Sequence, residues 1–206
     1  SSMSTIKVIE VYTQNGLRKV RPYYNRRSAF VKGRWLGKLL IDVLVSEFKL
    51  RPRAYYLDQI RKGTYRLIRD GVPLVPDHLM TTIIKNHDVL ETTTHKHEPP
   101  VKQWCSQEVE AEDLPGRIAG FNIVFEDESI LVIDKPSGIP VHPTGQFYQN
   151  TITELLKLHG VDALPCYRLD KSTSGLLILA KNSQSAGEIQ KSIRSRDMIK
   201  IYLARV

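Results

Sequence analysis

Cysteine is scarce in this sequence: its 206 residues hold two, Cys105 and Cys166, far apart and in no CxxC pair. That spacing excludes a disulfide-stapled secreted scaffold and a structural zinc module, and it points to a reducing compartment. Long apolar runs are lacking too. No stretch approaches the roughly eighteen unbroken apolar residues of a membrane span, and the first thirty residues contain no apolar core followed by a small-residue cleavage site. A cytoplasmic protein with no membrane partner is the expectation. Glu10 and the strand-like start argue against a mitochondrial presequence, which is a basic amphipathic helix. Internal repeats and low-complexity tracts are missing. His95 and His97 alternate and would share one face of a strand, but no nearby cysteine pair or carboxylate cluster completes a coordination shell, so no metal is expected.

Acidic residues are lacking in one particular place. Between Glu10 and Asp42 there are none, while Arg18, Lys19, Arg21, Arg26, Arg27, Lys32, Arg34 and Lys38 crowd the interval with Tyr23, Tyr24, Phe30 and Trp35 among them. Residues 1–100 hold 18 basic and 9 acidic side chains; residues 101–206 hold 12 and 13, so the whole net charge of +8 comes from the first half. Cations that displace counterions from phosphates, interleaved with planar rings that stack on bases, predict a nucleic-acid partner.

The periodicity predicts an α+β protein. Short strand-like runs at Ile6–Val11 and Val20–Tyr24 flank the turn pair Asn15-Gly16. Leu36, Leu39, Leu40, Val43, Leu44 and Phe48 fall on one helical face, and a second helix from Arg53 to Lys62 closes on Gly63. Tyr65–Ile68, Asp70-Gly71 and Val72–Val75 read as a hairpin, followed by strand at Ile83-Ile84 and Val89–Thr92. Two short helices followed by a small sheet, with Arg51, Arg53, Arg61, Lys62, Arg66 and Arg69 at their junction, resemble an S4-type RNA-binding domain. The predicted division is a basic N-terminal region with this domain over 1–100, an acidic linker over 101–120, and a second domain over 121–206. In the latter, Ile123-Val124-Phe125 and Ile130–Ile133 form a hairpin, and a helix from Thr151 to His159 takes Asn150 as N-cap. A strand at Leu176–Ala180, a helix from Ser183 to Arg194 capped by Asn182 and a last strand from Ile199 to Val206 complete it.

Between the two helices of that domain lies Tyr167-Arg168-Leu169-Asp170-Lys171-Ser172-Thr173-Ser174-Gly175, a loop of small polar residues able to present a carboxylate. Arg168 through Leu177 resembles the active-site signature of the RluA family of RNA pseudouridine synthases, R-L-D-x-x-T-S-G followed by aliphatic residues. The stretch Val132 to Pro143 looks like the family's upstream K-P-x-G-x-x-V-H-P motif, and Lys200-Ile201-Tyr202 like its later K-x-Y motif. Arg21-Pro22-Tyr23-Tyr24, Gly33-Arg34-Trp35, Glu47-Phe48 and His97-Glu98-Pro99-Pro100-Val101 resemble the eukaryotic, fungal-like branch that modifies tRNA. Tyr167 departs from the pattern, since family members usually carry His there. The family's further C-terminal motif, with an Arg that pairs with the catalytic Asp, has no counterpart before Val206, so the sequence is expected to be the N-terminal portion of a longer synthase.

The resemblance implies a mixed, mainly antiparallel catalytic domain that isomerises a uridine, most simply in tRNA, without metal or other cofactor. Asp170 would be the essential carboxylate, nucleophile or base. The target nucleotide would be flipped out of its stack, with Arg168 holding it and Tyr202 stacking on the uracil. Lys135, Pro136, His142, Thr173 and Lys200 would shape the substrate site. Alternatives are a non-catalytic RNA-binding module, and a synthase acting on ribosomal RNA or mRNA.

Overall fold

A computed structural model describes residues 9–206. Of the first strand-like run, Ile6–Val8 therefore lie outside the described residues. In chain order the elements are β1 (Val11–Gln14), β2 (Leu17–Val20), β3 (Tyr23–Phe30), a 3-10 turn (Gly33–Trp35), α1 (Leu40–Glu47), α2 (Arg53–Arg61), β4 (Tyr65–Arg69), β5 (Val72–Pro73), α3 (Pro76–Leu79), β6 (Val89–Lys96), β7 (Val101–Lys102), α4 (Gln107–Ala111), β8 (Arg117–Ile118), β9 (Phe121–Glu126), β10 (Ile130–Lys135), α5 (Ile152–Leu158), β11 (Leu164–Pro165), β12 (Gly175–Ala180) and α6 (Ser183–Arg194). The fold is α+β, and its ladders are antiparallel. Among the described residues no helix is long and apolar enough to cross a membrane.

The chain divides into two compact units. One is Tyr23–Lys96; the other joins the residues through Pro22 to His97–Val206. The Tyr23–Lys96 unit is a four-stranded sheet, β3-β6-β4-β5, covered on one face by helices. Leu67 and Leu90 of the sheet pack with Leu40, Ile41, Val43 and Leu44 of α1 and with Tyr56 and Ile60 of α2. Helix α1 starts at Leu40, later than the apolar periodicity suggests. Gly37, at φ +76°, turns the chain out of the preceding 3-10 turn, which leaves Leu36 40% exposed. Helix α2 ends as its sequence dictates: Gly63 takes φ +77°, its N–H donates to the Ile60 carbonyl, and that of Thr64 to Gln59. Asp70 and Gly71 both take positive φ, the geometry of a two-residue hairpin turn. Ile83-Ile84 makes only an isolated bridge, with Leu39.

The other unit contains the hairpin β1-β2 extended by β7, and a five-stranded sheet in the order β11-β12-β10-β9-β8. Phe121, Leu131, Ile133, Leu177 and Leu179 of the larger sheet pack against Ile152, Leu155 and Leu156 of α5. Three expectations need correction here. The stretch 101–120 is no free linker: Val101 is buried and pairs with Arg18, and Trp104 stacks on Phe121 at 4.9 Å while its indole N–H donates to Ala119. Asn150 is not the cap of α5; Thr151 is, and the buried Asn150 side chain instead accepts from Arg18 and donates to the Pro99 carbonyl. The last strand does not form. One side of β12 is fully paired with β10, the other is met by β11 only at Leu179 and Ala180, and Ile199 and Ile201 remain exposed without a ladder.

Candidate functional site

Three segments meet around the loop that follows Tyr167. Strand β10 delivers Lys135 at its end, paired in register with Gly175 of β12. The proline-rich segment after it runs past the loop, and the loop returns into β12. Lys135 is completely buried, and its ammonium donates to the carbonyls of Pro136 (3.0 Å), Lys171 (3.0 Å) and Thr173 (2.7 Å). A buried cation needs such partners, because each unpaired charge in a dry interior is strongly disfavoured. Burial pulls its pKa down to about 8, with the Asp170 carboxylate acting in the opposite direction.

Further bonds hold the loop from the same side. The Ser137 hydroxyl donates to the Ser172 carbonyl at 2.7 Å, and the Gly138 N–H to the Lys171 carbonyl at 2.7 Å. Gly138 takes φ +97°, and a Cβ there would lie 2.9 Å from Cβ of Lys102, so conformation and close approach both require glycine. Within the loop, the Thr173 N–H donates to the Asp170 carbonyl and closes a turn that presents Asp170 outward. The Asp170 side chain is 74% exposed, 3.8 Å from the Arg168 guanidinium. A cleft of about 290 Å³ is lined by Pro140, Val141, His142, Thr144, Arg168, Leu169, Asp170 and Lys171.

The expected site residues therefore divide. Asp170, Arg168 and His142 share this cleft, with Lys135 and Pro136 beneath it. Tyr202 and Lys200 do not line it. With Thr173 they line a second cavity, of about 630 Å³, on the β12 side of the loop. Sequence reasoning marked Tyr167 only as a departure, yet its hydroxyl accepts from the Ile178 N–H (3.1 Å) and donates to the Leu176 carbonyl (3.3 Å), bridging the β12 edge that β11 leaves open. Burial raises its pKa, which keeps the hydroxyl protonated as a donor, and the Lys200 ammonium lies 5.0 Å from its ring centre. In the sequence Glu98 stands out only as part of a motif. Its carboxylate accepts the backbone N–H groups of Tyr148, Gln149 and Asn150 and so anchors the approach to α5.

Of the expected RNA-contacting cations, Arg18 is corrected. It is 2% exposed, paired with Glu110 at 2.6 Å, and its guanidinium lies 5.7 Å from the Trp104 ring centre, so it belongs to the core. Lys19 bonds Gln14, and Arg21 pairs with Glu10. In the Tyr23–Lys96 unit, Arg26 and Arg66 flank Glu91, Arg34 pairs with Glu47, Arg53 with Asp42 and Lys62 with Asp58. Arg27, Lys32, Arg51 and Arg61 are exposed on the same unit. Among the described residues no three His, Cys, Asp or Glu side chains gather as a metal site.

Residues 129–206 match the family model described as RNA pseudouridylate synthase. The chain is 39% identical over 198 residues to "tRNA pseudouridine(32) synthase, mitochondrial" of Saccharomyces cerevisiae, covering 96% of this chain and 38% of that protein. It is 39% identical over 197 residues to "Pseudouridylate synthase RPUSD2" of Homo sapiens, covering 95% and 32%. To "Ribosomal large subunit pseudouridine synthase D" of Pseudomonas aeruginosa it is 29% identical, covering 88% and 53%. The solved structure "Human RNA Pseudouridylate Synthase Domain Containing 4" is 37% identical over 36% of this chain and 30% of that one, at a TM-score of 0.30. The chain thus spans about a third of these two eukaryotic relatives, and its residues 129–206 carry the match to the RNA pseudouridylate synthase family.

Proposed function

We propose that the full-length protein converts a uridine of tRNA to pseudouridine, with Asp170 as the essential carboxylate. The observation that carries this is the presentation of Asp170: exposed in a cleft beside Arg168, on a loop gripped from below by a buried ammonium. Rigid support under an exposed carboxylate is what orientation of a reacting group requires. In the isomerisation the bond from C1′ to N1 breaks, the freed uracil turns, a bond from C1′ to C5 forms, C5 gives up its proton and N1 takes one up, so that no atom is lost. Asp170 acts as nucleophile or base in that sequence. Arg168 holds the flipped nucleotide by its phosphate, His142 lines the cleft, and Lys135, which also donates to the Pro136 carbonyl, fixes the loop. Tyr202, with Lys200 and Thr173 beside it, lines the cavity on the β12 side of the loop and not the Asp170 cleft, so no stacking role is assigned to it. No metal or other cofactor enters these steps.

Tyr23–Lys96 acts in this reading as an S4-like RNA-binding domain, supported by its helix pair α1–α2 leading into the β4–β5 hairpin and by its excess of cations. tRNA is favoured over ribosomal RNA because the tRNA-named yeast relative is 39% identical and the ribosomal-named bacterial one 29%. The compartment proposed is the cytoplasm; recovery of the protein in isolated mitochondria, where the yeast relative's name places that protein, would replace it.

Asp170→Asn in the full-length protein is the test. The expected result is loss of pseudouridine from tRNA with RNA affinity within twofold of the parent. Retained isomerisation would refute the assignment, and absence of isomerisation of any RNA by the full-length parent would leave an RNA-binding module. Mapping pseudouridines in cells lacking the protein distinguishes tRNA from ribosomal RNA and mRNA.

A further inference from the structure

The sheet of the Tyr23–Lys96 unit has a second face, and helices cover only the first. Directly opposed residues of an antiparallel pair point to the same side. Leu90 and Leu67 oppose each other across β6 and β4 and belong to the core, and Ala29 of β3, itself exposed, stands opposite Leu90 and so points to the same side. The residues between them in sequence must therefore face outward. Along β3 these are Tyr24, Arg26, Ser28 and Phe30, opposite His95, Thr93, Glu91 and Val89 of β6.

Two aromatic side chains stand on this outer face at opposite ends of one strand. Tyr24 is 58% exposed and Phe30 72% exposed, although burial of such rings is strongly favoured when a core is within reach. Six residue steps of extended chain separate them, roughly 20 Å. At one end the Tyr24 ring lies against His95, with centroids 4.7 Å apart and planes tilted by 31°. Between the two ends sits Arg26. Its guanidinium is 3.6 Å from the Glu91 carboxylate, which Arg66 also approaches, at 3.2 Å. One carboxylate shared by two guanidinium groups orients both and leaves the face positive. β3 is the outermost strand of its sheet, so this surface is open along one side.

We propose that this outer face is a stacking platform for an unpaired stretch of RNA, with bases on Tyr24 and Phe30 and the intervening backbone along Arg26. The proposal rests on the RNA-directed reading above and sharpens it. Flat rings at intervals with a cation between them suit splayed-out bases, whose faces are available to stack, and not a duplex, whose base faces are already covered. The charge of the unit agrees: Tyr23–Lys96 holds 14 basic and 7 acidic side chains. A partner strand added to the β3 edge would need neither the rings nor the positive charge.

The test uses the full-length protein, a fluorescent oligouridine and an RNA duplex of the same length. In the double variant Tyr24→Leu/Phe30→Leu the strand keeps two apolar residues but loses both π faces, and the more conservative Tyr24→Phe keeps them. Oligouridine affinity should fall by about 30-fold or more in the double variant, duplex affinity should stay within twofold, and Tyr24→Phe should bind as the parent does. An unchanged oligouridine affinity, or an equal loss for duplex and oligouridine, would overturn the platform. Parent protein that sediments as a dimer and becomes monomeric in the double variant would overturn it too, assigning the face to a second copy. Isomerisation by the parent, assayed alongside, separates the two readings. An active parent with unchanged oligouridine binding in the variant removes the platform alone, whereas a parent that binds no RNA removes both.

Discussion

The two units handle charge in opposite ways. Tyr23–Lys96 carries 14 basic and 7 acidic residues, and its pairs Arg34–Glu47, Arg53–Asp42 and Lys62–Asp58 each leave the cation more than half exposed. The rest of the chain carries 16 basic and 15 acidic residues, nearly balanced, yet it takes two cations inside: Arg18, held by Glu110 and Asn150, and Lys135, held by three carbonyls. Exposed cations in excess are available to an external polyanion, while buried ones fix the geometry of the chain around them. Net charge thus supports the proposed partner through one unit and says nothing of the other, where individual charges are structural.

If the two cores are separate, breaking one should spare the other, and this carries the largest expected effect. Phe121→Ala removes the ring stacked on Trp104 and should cost about 3–5 kcal/mol in amide protection of β9, β10 and β12, read by hydrogen exchange. Protection in α1, α2 and β4 should be unchanged. An equal loss in both units would show one cooperative core and dissolve the comparison.

Lys135→Met sharpens it from the side of buried charge. Three carbonyls lose their donor, so destabilisation on the order of 3 kcal/mol is expected, with loss of product in the full-length protein. The pH dependence has a defined sign. The Lys135 pKa is held down to about 8 against an ordinary 10.5, so the unfolded chain binds the extra proton between those values, and urea stability should rise with pH across that window. The difference between parent and Lys135→Met should carry this dependence. A pH-independent difference would mean the ammonium titrates normally.

Surface charge gives a smaller, salt-dependent effect. Replacing Arg26, Arg27 and Lys32 by Gln should reduce the slope of log affinity against log salt by about 2 for unpaired RNA. The same exchange at Arg117, Lys157 and Lys191 should leave it nearly unchanged, and the reverse result would move the RNA interface to the other unit. The smallest effect is an acid titration. Hydrogen bonds from Arg34, and then from Trp35, hold the Glu47 carboxyl down to about 2 against an ordinary 4.5. Stability from this group is present above its ordinary value and lost as pH falls through 4.5 toward 2. The Trp35 indole N–H resonance should shift only near pH 2; a shift near 4.5 would place the carboxylate free in solvent.

Much of this was legible because it is local. Asn15-Gly16 and Asp70-Gly71 each adopt positive φ at both residues, Gly63 ends α2, and the Asn182 side chain caps α6 by accepting from Ser185. Each follows from the conformational freedom or hydrogen-bonding reach of one or two side chains. Asp170 and Arg168 lie two positions apart in one short loop, so their shared cleft needed no long-range inference. The misreadings are mostly long-range. The acidic stretch after Val101 reads as a linker because no sequence window reveals that Glu110 is the partner of Arg18, 92 residues away. Alternation at Ile199–Val206 reads as strand because apolar pattern does not disclose whether a ladder is available.

By itself the sequence determined the turns, the end of α2 at Gly63, the cap of α6, the charge asymmetry between the halves and the loop that displays Asp170, since each depends on neighbours within a few positions. Only the tertiary structure decided that Arg18 belongs to a core, that Lys135 grips the Asp170 loop, and that Tyr24 and Phe30 share an outward face. Burial, strand register and the pairing of distant charges are properties of segments brought together in space, and no local window of the chain contains them.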